Sequence, residues 1–254
     1  MPDTAGHGRP LLLGHRGQRH TRRSILRSLQ QQNLPPDNTL AAFELSLERG
    51  CDGFEFDVRY THDRRGVICH DPDFAGLNVA TSKYEALQAA KPRHERRERR
   101  DPDEQMPCLE DVLTRFADRA YLDIEIKTSG FEEEIMAALR DRPPQTEFVV
   151  SSFLPPVLQS LHELDPELPL GFVCKDRKLL PHWRELPVSV VIPNMKLVSE
   201  VLVRQWHDAG KKVLVWTVNR ESEMRRLGKW GVDGIISDDT ELLVRVFETM
   251  RSHA

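Results

Sequence analysis

The alternation of hydrophobic and polar residues is sharpest at residues 52–58, which read DGFEFDV. Successive side chains of a strand point to opposite faces, so this pattern predicts a strand with Phe54 and Phe56 on one face. Glu55 and Asp57 then share the other face. Two neighbouring carboxylates on a half-buried strand repel each other and are costly to desolvate. The segment therefore predicts a cation site, with a solvated edge strand as the alternative.

Strand-like and helix-like segments alternate along the rest of the chain. The buried-strand patterns are LLLG (11–14), GFEFDV (53–58), YLDIEIK (121–127), FVVSSF (148–153), LPLGFV (168–173), VSVVIPN (188–194), KVLVWTV (212–218) and DGIIS (233–237). The helical patterns cover 39–50, 82–90, 108–120, 131–141, 155–164, 199–210, 221–231 and 240–250, with weaker ones at 24–32 and 176–186. We expect Asp37 or Asn38 to cap the helix at 39–50 and Gly50 to end it.

A hairpin is expected after the DGFEFDV strand. The connection at residues 60–66 is too short for a crossover to a parallel strand, so VICHD (67–71) should return antiparallel and bring His70 beside the strand. The other eight strands alternate with helices over 254 residues, which is the length and the order of elements typical of a TIM (β/α)₈ barrel. A doubly wound open sheet is the alternative, disfavoured because no GxGxxG turn opens a helix. We expect one barrel domain over 1–254, with an insertion at about 73–107.

Composition and charge narrow the class of protein. The chain is 39% hydrophobic and 30% charged with a formal net charge of −4, which does not suggest a general nucleic-acid binder. Its four cysteines match neither paired spacing nor a zinc pattern, and no apolar run resembles a signal peptide or a membrane span. We therefore expect a reduced, cytoplasmic protein without stable membrane insertion. The charge run at 91–104 is expected to be solvated.

Carboxylates gather at the predicted strand ends, where a (β/α)₈ barrel has its active site. In the strand at 121–127, Glu125 and Asp123 share one face. Asp123 lies at the start of the strand, too deep for a metal ligand, so we expect it to have a structural role. Glu125 joins Glu55 and Asp57 as a third carboxylate. Three carboxylates suit a hard cation such as Mg²⁺ or Ca²⁺ better than zinc.

Cationic and titratable side chains are expected at the same strand ends. Arg16 and Lys127 beside a metal make a site for a phosphate, the first as a planar fork and the second as a point charge. His15 and His70 can serve as general acid and base near neutral pH. Metal, cations and an acid–base pair together indicate phosphoester cleavage. A Schiff-base barrel that uses Lys127 is an alternative, but it requires this lysine to be unpaired with a lowered pKa.

The same residues resemble those of the glycerophosphodiester phosphodiesterase family. The similarity covers nearly the whole chain in the right order. It runs through GHRG (14–17), PDNTLAAFELSLERGCDGFEFDV (36–58), TxDxxGVICHD (61–71), MPCLEDVL (106–113), DIEIK (123–127), VVSSF (149–153), VLVWTVN (213–219) and GVDGIISDD (231–239). The resemblance implies a TIM-barrel hydrolase that uses one divalent cation, Mg²⁺ or Ca²⁺ with Mn²⁺ as a third candidate. The implied reaction splits a small-molecule glycerophosphodiester into sn-glycerol 3-phosphate and an alcohol.

Roles follow from the resemblance position by position. The matching positions are His15 and His70 for the acid–base pair, Glu55, Asp57 and Glu125 for the metal, Arg16 and Lys127 for the phosphate, and Asn38 and Trp216 for the substrate side. The segment at about 73–107 corresponds to the family's insertion over the barrel mouth.

Three departures from the family pattern concern the substrate. Asp37 stands where the signature usually has glutamate, the basic loop at 18–35 is longer than usual, and FAGLNVATS (74–82) replaces an LDRTT pattern. Because the loop follows the strand that carries His15, it should lie over the site and affect substrate choice. Two alternatives stay open here: a lysophospholipase D-like enzyme acting on a lipid phosphodiester, and a non-catalytic barrel that binds phosphodiesters.

Overall fold

The computed structural model of the chain describes residues 9–19, 34–90 and 105–251. The helix expected at 24–32, most of the basic loop at 18–35 and the charge run at 91–104 lie outside these described residues. In the described part, no helix has both the length and the apolar character needed to cross a bilayer.

Eight parallel strands form a sheet that closes on itself. The described strands are β1 (Leu11–His15), β2 (Gly53–Tyr60), β3 (Gly66–Ile68), β4 (Asp73–Phe74), β5 (Leu77–Asn78), β6 (Tyr121–Ile126), β7 (Phe148–Ser152), β8 (Leu170–Cys174), β9 (Val190–Pro193), β10 (Lys212–Val215) and β11 (Gly234–Ser237). From β6 to β11 each strand pairs with the next, β2 lies between β1 and β6, and β11 pairs with β1. This closure confirms the predicted TIM barrel.

The expected hairpin is also confirmed. β3 pairs antiparallel with β2, with Val58 opposite Ile68. The hairpin leaves His70 two residues beyond the end of β3, next to Cys69, whose backbone N–H donates to the carbonyl oxygen of Asp57 at 2.9 Å. The two-stranded β4–β5 sheet follows it, at the start of the predicted insertion.

Helices fill most of the connections between strands. Their bounds are α1 (Leu40–Glu48), α2 (Tyr84–Ala89), α3 (Leu109–Phe116), α4 (Glu132–Asp141), α5 (Pro155–Leu164), α6 (Glu200–Asp208), α7 (Glu221–Lys229) and α8 (Thr240–Arg251). The weak helical pattern at 176–186 forms only a short 3₁₀ helix, Leu180–Arg184, so β8 and β9 are joined without an α-helix. Pro181 lies in its first turn, and the next strand begins six residues after its end.

The cap prediction for α1 was wrong by one or two residues. Thr39 is the N-cap, and its Oγ1 accepts a hydrogen bond from the backbone N–H of Ala42 at 3.2 Å. Asn38 instead adopts a left-handed backbone conformation with φ +59°, and its side chain bonds to Asp57 rather than to the helix. The end of the helix agrees with the prediction, since Gly50 follows it with φ +94°.

Two apolar layers lie on opposite sides of the barrel wall. Outside β2, the rings of Phe43 from α1 and Phe54 stack with centroids 4.3 Å apart, and Phe116 from α3 meets Phe54 edge-on at 5.1 Å. Inside the barrel, a smaller cluster fills the lower part, made of Leu13, Tyr121, Val149, Val173, Val190, Ile192, Leu214 and Ile236. The polar residues lie above this inner cluster, at the carboxyl ends of the strands.

Candidate active site

Neighbouring strands place three carboxylates together. In the β2–β6 register Asp57 is opposite Glu125, so both point into the barrel near its carboxyl end. Glu55 lies one inward position below Asp57 on the same strand. Each of the three residues is buried and offers an oxygen, and these oxygens all lie within 4.8 Å of one another.

Two cationic side chains contact this carboxylate group. Lys127 Nζ lies 2.7 Å from Asp57 Oδ1 and also pairs with Glu125. Arg16 Nε lies 3.0 Å from Asp57 Oδ2. The backbone N–H of Arg16 donates to Glu55 Oε2 at 3.0 Å, so this residue reaches two of the carboxylates. The two cations therefore lie directly against the carboxylate group.

The GHRG turn gives Arg16 this position. Arg16 and Gly17 both have positive φ, +52° and +77°. A Cβ on Gly17 would lie 2.6 Å from the backbone of Ala42, and one on Gly14 would lie 1.9 Å from the carbonyl oxygen of Gly17. Only glycine fits at both places, because the turn packs directly against α1. The non-glycine residue at positive φ is thereby aimed at the carboxylates.

Asn38 supports Asp57, the least exposed of the three carboxylates. Its Nδ2 donates to Asp57 Oδ2 at 2.7 Å, and its backbone N–H donates to the carbonyl oxygen of Arg16 at 3.0 Å. The predicted substrate-side residue Asn38 is thus a buried partner of Asp57, joining the GHRG turn to β2.

His15 is held by a carboxylate that sequence reasoning missed. Its Nδ1 lies 2.6 Å from Asp238 Oδ1, and its Nε2 lies 3.8 Å from Glu55 Oε2. Asn219 Nδ2 donates to the other oxygen of Asp238 at 2.6 Å. Burial alone would raise the pKa of Asp238, but the hydrogen bonds from His15 and Asn219 hold it below its usual value. The available signal was the position of Asp238, which directly follows the DGIIS strand.

His70 is held in a similar way at the opposite rim. Its Nδ1 lies 2.7 Å from Asp71 Oδ1, and its backbone oxygen accepts from Arg59 Nε at 2.9 Å and Nη2 at 2.8 Å. Burial lowers the pKa of His70, and Asp57 and Asp71 oppose this only in part. The predicted hairpin brings Asp71 back beside the strand together with His70, but its contact with the imidazole and the role of Arg59 were not predicted.

Burial of the three carboxylates perturbs their protonation. Desolvation, followed by the charges of Asp57 and Glu125, raises the pKa of Glu55 well above its usual value. Desolvation likewise raises the pKa of Glu125. Desolvation would do the same to Asp57, but Lys127 and Arg16 reverse the effect and lower its pKa. The two cations thus stabilise the negative charge of Asp57, while Glu55 remains under-compensated.

Lys127 is fully engaged with carboxylates. Desolvation lowers the pKa of a buried lysine, but here Glu125, Asp57 and Glu55 outweigh it and raise the pKa. A Schiff-base lysine needs the reverse, so the structure contradicts that alternative.

Asp123 lies below the carboxylate group and bonds to the neighbouring strand. Its Oδ1 accepts a 2.6 Å hydrogen bond from Ser151 on β7, and it lies one inward position below Glu125. Desolvation raises the pKa of Asp123 to about 7. It lies at the floor of the cavity and is not among the three clustered carboxylates.

A cavity of about 300 Å³ opens above these residues. One side carries the charged groups, including both histidines, Arg16, Glu55, Glu125 and Lys127. The other side is apolar and includes Phe153, Ile192 and Trp216, whose Nε1 donates to the backbone oxygen of Ile192 at 3.0 Å. Trp216 therefore lines the cavity, with its ring meeting that of Phe153 edge-on at 5.5 Å. Lys175 also reaches the cavity and was missed by sequence reasoning.

The carboxylate group fits a divalent cation. Glu55 Oε1 is buried and has no hydrogen-bond partner among the residues that the structure describes. A buried carboxylate oxygen left without a donor is costly, and a hard cation would satisfy it. All three donors are carboxylate oxygens, which suit Mg²⁺, Ca²⁺ or Mn²⁺.

Comparison with known proteins decides the family. The model of the glycerophosphoryl diester phosphodiesterase family matches residues 15–242. The chain belongs to the glycerophosphoryl diester phosphodiesterase family. The predicted enzyme class, a phosphoric diester hydrolase, is confirmed by this membership together with the curated relatives.

Two curated relatives match over most of their length. A glycerophosphodiester phosphodiesterase of Bacillus altitudinis is 30% identical over 233 residues, which cover 85% of this chain and 94% of the relative. One from Caldanaerobacter subterraneus subsp. tengcongensis is 29% identical over 227 residues, covering 83% and 92%.

Solved structures share the fold of this phosphodiesterase-family chain. A glycerophosphoryl diester phosphodiesterase from Silicibacter pomeroyi superposes with a TM-score of 0.77 at 24% identity, covering 97% of this chain and 96% of the other. A phosphodiesterase from Oleispira antarctica, solved with the product sn-glycerol 3-phosphate, gives a TM-score of 0.74 at 23% identity, covering 94% and 97%.

Proposed function

We propose that this chain hydrolyses glycerophosphodiesters with the help of a divalent cation, releasing sn-glycerol 3-phosphate and an alcohol. One observation carries the proposal: a cluster of three buried carboxylates, of which Glu55 and Glu125 line a cavity of about 300 Å³, shares that cavity with two cations and two carboxylate-held imidazoles. The names of the curated relatives and the product bound in the Oleispira antarctica structure point to the same reaction.

Glu55, Asp57 and Glu125 would hold the cation. When bound, the cation would withdraw charge from the phosphate oxygens and so stabilise the charge that develops on them. Mg²⁺, Ca²⁺ and Mn²⁺ all suit this oxygen donor set. Asn38 keeps the Asp57 carboxylate in place through its 2.7 Å hydrogen bond.

Arg16 and Lys127 bind the phosphate in this mechanism. Both are already charged, and both are positioned by carboxylates before substrate arrives, so little reorganisation is needed. Trp216 and Phe153 form the apolar wall against which the carbon atoms of the substrate pack.

The two histidines move the protons. The oxygen of water, or of the glycerol 2-hydroxyl, forms a bond to phosphorus and gives its proton to Nε2 of His70. The bond from phosphorus to the alcohol oxygen breaks, and this oxygen takes a proton from Nε2 of His15. If the 2-hydroxyl attacks, water then opens the cyclic phosphate. Asp71 and Asp238 hold the Nδ1 atoms, which leaves Nε2 of each ring for the reaction.

His70 suits the role of base because its pKa is lowered. A histidine with a lowered pKa is neutral near pH 7 and can accept a proton. His15 then donates the proton at the opposite side of the carboxylate group.

A coupled assay for glycerol 3-phosphate tests the proposal. Purified protein is supplied with Mg²⁺, Ca²⁺ or Mn²⁺ in parallel and with glycerophosphocholine, glycerophosphoethanolamine and glycerophosphoglycerol. We expect release with at least one metal, loss of release after exhaustive chelation, and recovery when that metal is restored. Activity that survives chelation would refute the metal requirement, and no release from any diester would favour the non-catalytic alternative.

The same assay separates soluble from lipid substrates. The cavity is small, charged and titratable side chains form much of its lining, and none of the described insertion residues lines it. These properties favour deacylated diesters, so we expect lysophosphatidylcholine to be cleaved more slowly than glycerophosphocholine. Faster cleavage of the lysophospholipid would favour the lysophospholipase D-like alternative.

A further inference from the structure

Lys175 is a cation of the cavity that the proposed mechanism does not use. It follows β8 directly and is exposed at the cavity rim. Its Nζ lies 5.4 Å from the centre of the Phe153 ring. Among the described residues no carboxylate forms an ion pair with this ammonium group, so it is open to a ligand in the cavity.

A second ammonium group also lies near the Phe153 ring. Lys127 Nζ lies 5.5 Å from the same ring centre, but it is paired with Asp57 and Glu125. The two lysines therefore differ: one is neutralised by the carboxylate group, and the other is available to a ligand. Lys175 is thus the residue through which the apolar side of the cavity gains positive charge.

The positive charge of Lys175 affects how the alcohol half of a substrate can bind. The face of an aromatic ring is the usual protein site for a quaternary ammonium group. At Phe153 that site already faces two ammonium groups, and Trp216 lies edge-on beside it within the same cavity. A cationic alcohol such as choline would meet the repulsion of Lys175 at the Phe153 ring, strengthened where the cavity excludes water. A neutral or anionic alcohol would not meet this repulsion.

We propose that Lys175 selects substrates by the charge of the leaving alcohol, favouring neutral or anionic alcohols over cationic ones. This inference rests on the proposed function, because the selection acts on the same diester in the same cavity. Lys175 lies near the Phe153 ring that lines the substrate cavity, and it is not part of the carboxylate group.

The test compares two substrates that share the glycerophosphate half. Glycerophosphoglycerol has a neutral alcohol, and glycerophosphocholine has a cationic one. The ratio of their kcat/KM values is measured for the metal-loaded wild-type protein, Lys175→Gln and Lys175→Glu. We expect the ratio to shift toward glycerophosphocholine by about 3-fold in the glutamine variant and about 10-fold in the glutamate variant, with smaller shifts at high salt.

Lys178→Glu is the matched control. Lys178 is exposed in the same connection, and it is not among the residues that line the cavity. The charge change is identical, so a long-range effect of net charge would alter both variants equally. We expect the ratio for Lys178→Glu to stay within 2-fold of the wild-type value.

Two contrary outcomes are distinct. Selection by Lys175 would be overturned, with the proposed function intact, if active Lys175→Glu protein had a substrate ratio within 2-fold of the wild-type ratio. It would also be overturned if Lys178→Glu shifted the ratio as much as Lys175→Glu. Wild-type protein that hydrolyses neither diester would overturn the proposed function, and the selection with it.

Discussion

The two faces of β2 are both buried, but they meet opposite kinds of surroundings. On the outer face, Phe54 and Phe56 are completely buried against Phe43 and Phe116 of the helix layer. On the inner face, Glu55 and Asp57 are just as deeply buried, but among charges. One strand of eight residues thus contributes both to the apolar core and to the site.

The difference lies in what each face needs from the rest of the fold. Apolar burial is non-directional and needs only neighbours of suitable size. Buried carboxylates need donors or cations at defined positions, and here these come from the GHRG turn, α1's preceding loop and the end of β6. The outer face stabilises the barrel. The inner face holds buried negative charge, which the cationic side chains of the protein neutralise only in part.

The largest effect is expected for Glu125→Gln, which alters the carboxylate group inside the barrel and leaves the outer face of β2 unchanged. The substitution keeps the volume and removes one of the three carboxylates. We expect kcat/KM to fall by at least about 10³-fold, because metal stabilisation is worth several kcal/mol. We expect no loss of thermal stability in metal-free protein, since a partly compensated buried charge disappears.

The control for Glu125→Gln is Glu133→Gln. It makes the same chemical change at an exposed position of α4 and should leave both activity and stability unaltered. Glu125→Gln protein with activity within 10-fold of wild type would contradict the role of the inner face.

Phe54→Ala tests the outer face. Removing a completely buried aromatic ring should lower the free energy of unfolding by about 3–5 kcal/mol, measured by urea denaturation. At temperatures where the variant remains folded, kcat per folded molecule should stay near the wild-type value. Phe54→Leu, which fills more of the space, should lose less. A Phe54→Ala variant of wild-type stability would mean that the aromatic cluster contributes little.

His70→Gln isolates proton transfer from folding. The side chain is 42% exposed, so its removal should hardly change the free energy of unfolding. We expect kcat to fall by about 10²-fold or more, the usual contribution of a general acid or base. His62→Gln, an exposed histidine in the same hairpin, is the matched control and should keep full activity. Unchanged turnover in His70→Gln would disprove the assignment.

Arg59→Gln tests whether the outer rim positions His70. Arg59 makes two hydrogen bonds to the His70 backbone oxygen and is not a cavity-lining residue. Losing them should lower kcat by about 10-fold with little change in KM, since the ring is displaced without loss of phosphate contacts. Arg65→Gln, in the same hairpin, should have no such effect. Equal losses in both variants would indicate general loosening of the hairpin.

The smallest effect expected is on the acid side of the pH profile. The lowered pKa of His70 keeps it neutral below the ordinary histidine value of about 6.5. As pH falls through this lowered pKa, the imidazole gains a proton and can no longer act as base. We therefore expect kcat/KM of the metal-loaded protein to decline only below about pH 6.5, and this limb to vanish from the residual activity of His70→Gln. A decline of kcat/KM that begins above about pH 6.5 as the pH falls would contradict the assignment of His70 as the base.

Local patterns in the chain were enough to predict the barrel and its hairpin. Alternation at 52–58 reports directly on the two faces of a strand, because side-chain direction in a strand depends only on position. The short connection at 60–66 excluded a parallel crossover for the same local reason. The helical pattern at 176–186 failed because its periodicity is weak and the tertiary connection from β8 to β9 accommodates only one short 3₁₀ turn.

The cap of α1 shows where local propensity is overridden. Asp37, Asn38 and Thr39 are all suitable cap residues, and nothing in their order favours the third. Asn38 is excluded because Asp57, nineteen positions later in the chain, accepts its side-chain hydrogen bond. That competition exists only after β2 has packed beside α1.

By itself, the sequence determined the family, the barrel and the residue types that gather at its carboxyl edge. Regular strand and helix periods, together with motifs in fixed order, encode these properties locally. Tertiary structure alone decided the partners: Asp238 on His15, Arg59 on the His70 backbone, and Lys175 over Phe153. Such contacts join residues on different elements, and hydrogen bonds and charge pairs depend on distances that no local pattern specifies.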